Sequence, residues 1–131
     1  MEQVYYHKKT VDPKTTGERA WYVMGSDAPQ LFNVPGFSIH HEIEGLIAAG
    51  ISPLEILQSG TINPAIFFGM EDTFGNIKEG LDADLVLLNS NPLSDIKALK
   101  DISAVVVRGK WLSKEAIAEK LEQIANNAKN N

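Results

Sequence analysis

The sequence contains no cysteine. That excludes a disulfide framework and a thiolate metal site, and it is compatible with any redox compartment. Positive charge is in the minority: 12 Lys and Arg stand against 17 Asp and Glu, a formal net charge of -5. No basic stripe is visible, which argues against nucleic acid as the main partner. No apolar run is long enough to cross a bilayer, so no membrane partner is expected. Glu2, His7, Lys8 and Lys9 give the N-terminus the wrong layout for a signal peptide. The default compartment is therefore the cytoplasm, although a signal on an upstream part would be missing with that part. There is no internal repeat, and no low-complexity tract beyond the Asn- and Lys-rich last residues.

What is present is an ordinary globular composition, 44% hydrophobic and 22% charged over 131 residues, enough for one domain with a core. The chain is organised around Trp21-Tyr22-Val23-Met24-Gly25-Ser26-Asp27-Ala28-Pro29. Val23 and Met24 beside two large aromatics predict a short buried strand from Trp21 to Met24. Gly25 ends it, and Pro29 keeps the chain from re-entering a ladder or helix at once. Asp27 is thereby left at the carboxyl end of a buried strand, where an α/β barrel places its chemistry. Ser-Asp before Ala-Pro is also good turn chemistry by itself, so Asp27 has a purely structural reading as well.

Before this stretch, residues 1 to 20 read as a polar loop segment, with Pro13 and Gly17 setting turns. After it, Ser38 is an N-cap for a helix from Ile39 to Ala49, with Ile39, Ile43, Leu46 and Ile47 on a buried face. Gly50 supplies a left-handed C-cap. Ser52-Pro53-Leu54-Glu55 is a capping box with proline at the first helical position. Asn63-Pro64 repeats the device for a short helix carrying Ala65, Phe67 and Phe68, read as core, and Gly69 ends it. The character changes near Met70 to Phe74, from helices to short strands. Gly75 to Gly80 reads as a short extended piece, and Leu85 to Leu88 as an apolar strand. A helical turn covers Ser94 to Leu99. Ala104 to Val107 is a strand, and Arg108-Gly109-Lys110 turns it into a hairpin through Trp111. Ser113 caps a last helix with Ile117, Leu121, Ile124 and Ala128 on one face. Asp82 and Asp84 shape a turn, because a calcium loop needs denser ligands.

The order of these motifs resembles the C-terminal portion of the amidohydrolase superfamily, closest to its imidazolonepropionase-like members. The resemblance is carried by Gly-Ser-Asp (25 to 27), Pro-Gly-Phe-Ser-Ile-His-His-Glu (35 to 42) and Ala-Gly-Ile-Ser-Pro (49 to 53). It continues with Thr-Ile-Asn-Pro-Ala (61 to 65), Gly-Asn-Ile-Lys-Glu-Gly-Leu-Asp-Ala-Asp-Leu-Val-Leu-Leu (75 to 88) and Val-Arg-Gly-Lys (107 to 110). Each motif alone is weak, and their joint order is specific.

The resemblance implies an α/β fold: the C-terminal fragment of a metal-dependent hydrolase TIM barrel, its last strand and following helices. The C-terminal half of a small β-sandwich and a terminal helix complete it. On that mapping residues 21 to 70 end the barrel, and residues 71 to 131 form the sandwich strands and final helix. Asp27 matches the last-strand aspartate that touches the metal and acts as general base. His40, and Ser26 beside Asp27, are candidates to contact substrate or to back the metal ligands. A helix-surface role for His40 stays open. His40 and His41 do not make a metal pair, since neighbours on a helix point about 100° apart. The implied cofactor is a divalent metal, zinc first, in the complete enzyme, and the implied substrate a small amide or cyclic amide.

The departures are as informative. The family's His-X-His pair, its bridging lysine or substitute and its middle-strand histidines are absent, and only His7, His40 and His41 are present. One carboxylate cannot hold a catalytic metal. This polypeptide alone is therefore expected to bind no metal and to be inactive, and to need the missing N-terminal barrel portion or self-association. The alternative is a non-catalytic remnant or interaction module that pairs with itself or with a separate N-terminal chain.

Overall fold

The computed structural model describes residues 22–31 and 33–129. The polar loop read over residues 1 to 20, and Trp21 of the predicted strand, lie outside them. The rest is a mixed helix and strand fragment: three helices, a three-stranded antiparallel sheet with a 3-10 helix between its first two strands, and a last helix.

The first helix, α1, is Ser38–Ala48. Ser38 is not its N-cap. Phe37 holds that position without a side-chain bond, and Ser38 lies inside the first turn, buried. The chain already turns at Val34, whose carbonyl accepts from the Phe37 and Ser38 amides. The Ser38 hydroxyl therefore points back and donates to the same carbonyl at 3.0 Å. The other end follows the sequence reading. Gly50 takes φ +83°, its amide bonds the Ile47 carbonyl at 2.9 Å, and the Ile51 amide reaches Leu46 at 3.0 Å.

Helix α2, Pro53–Ser59, carries the predicted capping box: the Glu55 amide donates to Ser52 Oγ and the Ser52 amide to Glu55 Oε2. Helix α3, Ile62–Phe68, begins before the predicted Asn63-Pro64 start and ends at left-handed Gly69. Ile43, Ile56 and Ala65, one from each helix, are the buried apolar side chains of this half.

Phe67 and Phe68 are corrected: they are not core. They are 68% and 65% exposed and pack edge-to-face on each other, with ring centroids 5.1 Å apart. Helix α3 turns Ala65 inward and Phe67, two residues on, to the far side. Phe68 lies nearer the Ala65 face but at the last position of the helix, where it stays exposed. Ile47, expected on the buried face of α1, is exposed as well.

Gly75 to Gly80 forms no strand, with a bend at Gly75 and Asn76 and a turn at Glu79 and Gly80. Residues 70–82 wind through turns, closed by Thr73 N–H to Met70 and Asp82 N–H to Thr73. Gly75, at φ +98°, lies against the start of α3. A Cβ there would stand 2.8 Å from Ala65 Cβ and 3.1 Å from the Thr61 carbonyl oxygen.

Strands β1 (Leu85–Leu88), β2 (Ile102–Val107) and β3 (Lys110–Ser113) pair in sequence order. The β1–β2 register shifts between Leu87 and Leu88, so Leu87 faces Ala104 and Leu88 faces Ile102. Arg108 and Gly109 both have positive φ, 49° and 73°, and Val107 pairs with Lys110 across them. This is the two-residue hairpin turn whose twist suits a right-twisted sheet. Asp84, expected to shape a turn near Gly80, bonds this distant one instead: its carboxylate accepts from the Arg108 amide at 2.5 Å, 24 positions on. The 3-10 helix spans Ile96–Lys100, two residues later than the predicted turn at its start. Helix α4, Lys114–Lys129, is capped by Ser113, whose Oγ accepts from the Ala116 amide at 3.3 Å. It packs on β2 and β3. An ion pair of Lys100 with Glu44 at 2.7 Å joins α1 to the 3-10 helix.

Candidate functional site

The segment that presents Asp27 is held from one side by the helices. Within an extended stretch, residues 22 and 24 turn their backbone polar groups to the same edge. The Tyr22 carbonyl accepts from Asn63 Nδ2 of α3 at 2.9 Å. The Met24 amide donates to the Ser59 carbonyl, the last of α2, at 2.9 Å. Ser59 is fully buried, and its own hydroxyl donates to the Ile56 carbonyl at 2.7 Å. The Met24 terminal methyl rests over Gly60, where a Cβ would approach it to 2.7 Å.

The predicted strand is corrected here. Residues 22–24 pair with no strand among the described residues. A ladder needs a neighbouring strand, and helix carbonyls and an amide side chain cannot continue one. Asp27 thus follows an anchored extended segment rather than a paired strand.

Beyond Met24 the chain bends through half-buried Ser26 to Asp27, which is exposed and takes φ +52°. An aspartate tolerates that left-handed geometry better than most residues. The following Ala28-Pro29 peptide is cis. The Asp27 carboxylate accepts a hydrogen bond from the Gln30 side-chain amide. Its chemistry is that of an acceptor open to solvent.

Tyr22 sits at the base of this segment. Burial pushes its phenol upward from 10.0, and the Glu55 carboxylate acts in the same direction. The Ser59 hydroxyl, which donates to Ile56 and keeps its acceptor lone pairs, opposes the rise. Among the described residues the Tyr22 hydroxyl oxygen, shut off from solvent, makes no hydrogen bond of good geometry.

His40 is half-buried in the first turn of α1, next to exposed His41. The charge of both histidines lowers Glu44 slightly, after the larger effects of its hydrogen bond and ion pair with Lys100. Among the described residues the side-chain hydrogen bond of Asp27 is with Gln30, and none joins it to His40 or Ser26. Nor do three His, Asp or Glu side chains come together there to hold a metal ion. Asp27 alone does not fit a catalytic divalent cation, which takes three protein ligands or more. The residues that the sequence reading missed are Asn63, Ser59 and Gly60. Asn63 was visible within Thr-Ile-Asn-Pro-Ala, but a helix start explained it without a distant partner.

Comparison with known proteins gives this geometry a family. The family model described as the amidohydrolase family matches residues 18–112. Ochratoxinase of Aspergillus niger is 37% identical over 57 residues, 43% of this chain and 12% of that protein. An adenine deaminase of Bacillus subtilis is 31% identical over 81 residues, 62% of this chain and 13% of that protein. Among solved structures, phenylurea hydrolase B matches with a TM-score of 0.52 at 36% identity, over 58% of this chain and 17% of the other. Molinate hydrolase matches with a TM-score of 0.51 at 31% identity, over 53% and 15%. The chain thus spans about an eighth of the length of the curated relatives it matches. With the family model covering well over half of its 131 residues, from before the Asp27 segment to near the end of β3, the chain belongs to the amidohydrolase family.

Proposed function

We propose that these residues are the last part of an amidohydrolase barrel and the C-terminal half of its β-sandwich. In the complete enzyme they serve the hydrolysis of a C–N bond in a small amide, cyclic amide or related substrate. Residues 21 to 70 belong to the barrel, and residues 71 to 131 to the sandwich and terminal helix. The observation that carries this reading is the family match running continuously through the Asp27 segment. Relatives named as deaminases and hydrolases support the reaction class.

Asp27 contributes an exposed carboxylate on a segment fixed to two helices. A carboxylate so held accepts a proton and returns it to a leaving amine. Ser26 and His40 are proposed to line the substrate side of that carboxylate. A divalent metal, zinc first, supplies an activated water when bound in such enzymes. The described residues do not hold one by themselves, so the remaining ligands come from other polypeptide.

The test uses the chain alone and the chain joined by the N-terminal barrel portion. Alone, it is expected to carry well under one zinc per chain and to hydrolyse no amide. Complemented, it is expected to hydrolyse a C–N bond, and Asp27→Asn is expected to cost about 100-fold or more in kcat. Full activity of Asp27→Asn in the complemented enzyme would refute the assignment, as would stoichiometric zinc and amide hydrolysis by the 131 residues alone.

A second reading is favoured by the exposed aromatic and aliphatic side chains Phe67, Phe68, Trp111, Leu121 and Ile124. Where such side chains adjoin, as Phe67 and Phe68 do, they mark contact surfaces. As a non-catalytic module the chain would associate with itself or with a separate partner and show no hydrolysis after complementation.

A further inference from the structure

We propose that Asn63 is a positioning residue: its side-chain amide, acting with the Ser59 carbonyl, fixes the placement of the segment that presents Asp27. This rests on the reading of Asp27 as a catalytic carboxylate. The clamp itself rests on geometry alone.

The contact spans 41 positions of sequence and is half-buried, with Asn63 Nδ2 2.9 Å from the Tyr22 carbonyl oxygen. Tyr22 and Met24 offer their backbone groups on one edge of the extended stretch, and that edge meets the helices rather than a strand. The Met24 amide takes the carbonyl that ends α2. The inner amides of α3 are committed to its own ladder, and the donor that meets the Tyr22 carbonyl is the Asn63 side chain, from the first turn of the helix. A side chain with an N–H donor on the first turn of α3 is what the position requires. Asparagine is short enough to hold that donor in one place.

Two bonds two residues apart set the register of the segment. A slip by one residue would present the opposite edge and break both. Asp27 lies three residues beyond the second bond, so its direction follows from the clamp. Gly60 adds room for the Met24 methyl. That methyl is the flexible end of a side chain, so Gly60 assists the arrangement without defining it. The helix pair α2–α3 thus acts on Asp27 through the backbone of residues 22–24.

The test is amide hydrogen exchange on the full chain, comparing the parent with Asn63→Ala and Asn63→Asp. Asn63→Asp keeps the size of the side chain and replaces the donor by an acceptor aimed at a carbonyl. Both variants are expected to speed exchange of the Met24 amide about tenfold or more, while the Ile56 and Ala104 amides exchange as before. Met24 bonds to Ser59 and not to Asn63, so its exchange reads the segment rather than the deleted bond. Unchanged Met24 protection overturns the clamp. A uniform loss of protection across all three amides also overturns it, since Asn63 would then serve the fold as a whole.

In the complemented enzyme the same variants are expected to lower kcat about 10- to 100-fold with KM retained, the pattern of a displaced reacting group. Loss of activity by Asn63→Ala with Met24 protection intact would count against positioning. Asp27→Asn separates the two ideas: if it leaves hydrolysis unchanged while Asn63→Ala frees Met24, the catalytic assignment falls and the clamp remains.

Discussion

Tyr22 is poorly served by its surroundings. Its side chain is half-buried, and its hydroxyl oxygen is shut off from solvent with no hydrogen bond of good geometry among the described residues. An unmade bond of this kind costs more than a made one contributes. Tyr22→Phe is therefore expected to raise unfolding free energy by about 1 kcal/mol, measured by urea titration. The same substitution tests the pH dependence. The phenol is raised in the folded chain, so its contribution is complete below the ordinary value of 10.0 and is lost as pH rises through the folded value. Stability of the parent should decline in that alkaline range more steeply than that of Tyr22→Phe. At Asp27 the positive φ and the bond from Gln30 show that its backbone suits a turn as well as a site. The kinetic effect of Asp27→Asn separates those roles.

Among the elements, α2 and α3 are the platform on which the site segment rests. The capping box of α2 supplies two of the groups that a short helix leaves unpaired. Ser52→Ala is expected to cost about 1 kcal/mol by the same titration. Gly75 bears on α3 more severely. A side chain there meets Ala65 and the Thr61 carbonyl, both fixed by the helix, and must also adopt a left-handed φ of +98°. Gly75→Ala is expected to destabilise by about 2–3 kcal/mol, because strain and overlap add. Gly60→Ala should cost much less, since the atom in its way is the mobile end of Met24. A Gly75→Ala effect no larger than that of Gly60→Ala would refute this packing. In the sheet, Asp84 ties the approach to β1 to the β2–β3 turn, so hairpin and edge strand stand or fall together.

At the scale of the whole molecule, much of the apolar surface is open. Phe67, Phe68 and Trp111 are each exposed by more than half. Binding of a hydrophobic dye, or concentration-dependent association, is expected in solution. Phe67→Ser with Phe68→Ser should lessen it without unfolding the chain, because neither ring is part of the buried set. A monomer silent to the dye at every concentration would contradict this. Acid sensitivity is expected to be slight. Glu44 is held low by its hydrogen bond and charge contact with Lys100, Asp101 by Asn89 and then Lys114, and Glu115 by the Ser113 hydroxyl. Depressed carboxyls stabilise above their unfolded values, and that contribution fades as pH falls through the folded ones. All three lie at the surface, where solvent screens the effect. The loss should therefore be confined to pH below about 4.5 and be small in a thermal melt.

Local features of this protein were determined by the sequence itself. The Ser52 box, the left-handed glycines at 50 and 69 and the Ser113 cap each depend on atoms within about four residues. The Arg108-Gly109 turn depends on its own two positive φ values, to which Asp84 adds a bond from 24 positions away. The family could be read as well, because the order of motifs survives whatever each contributes to packing. Tertiary structure alone decided which faces are covered and which partners are distant. Asn63 reads locally as a helix start, yet its amide serves a carbonyl 41 positions away. Phe67 and Phe68 read as core by hydrophobicity, yet only the surface facing α3 can bury them. Residues 22–24 have the composition of a strand, yet a strand exists only where another chain segment completes its hydrogen bonds. Burial and pairing are properties of two surfaces, and a sequence read locally supplies one of them.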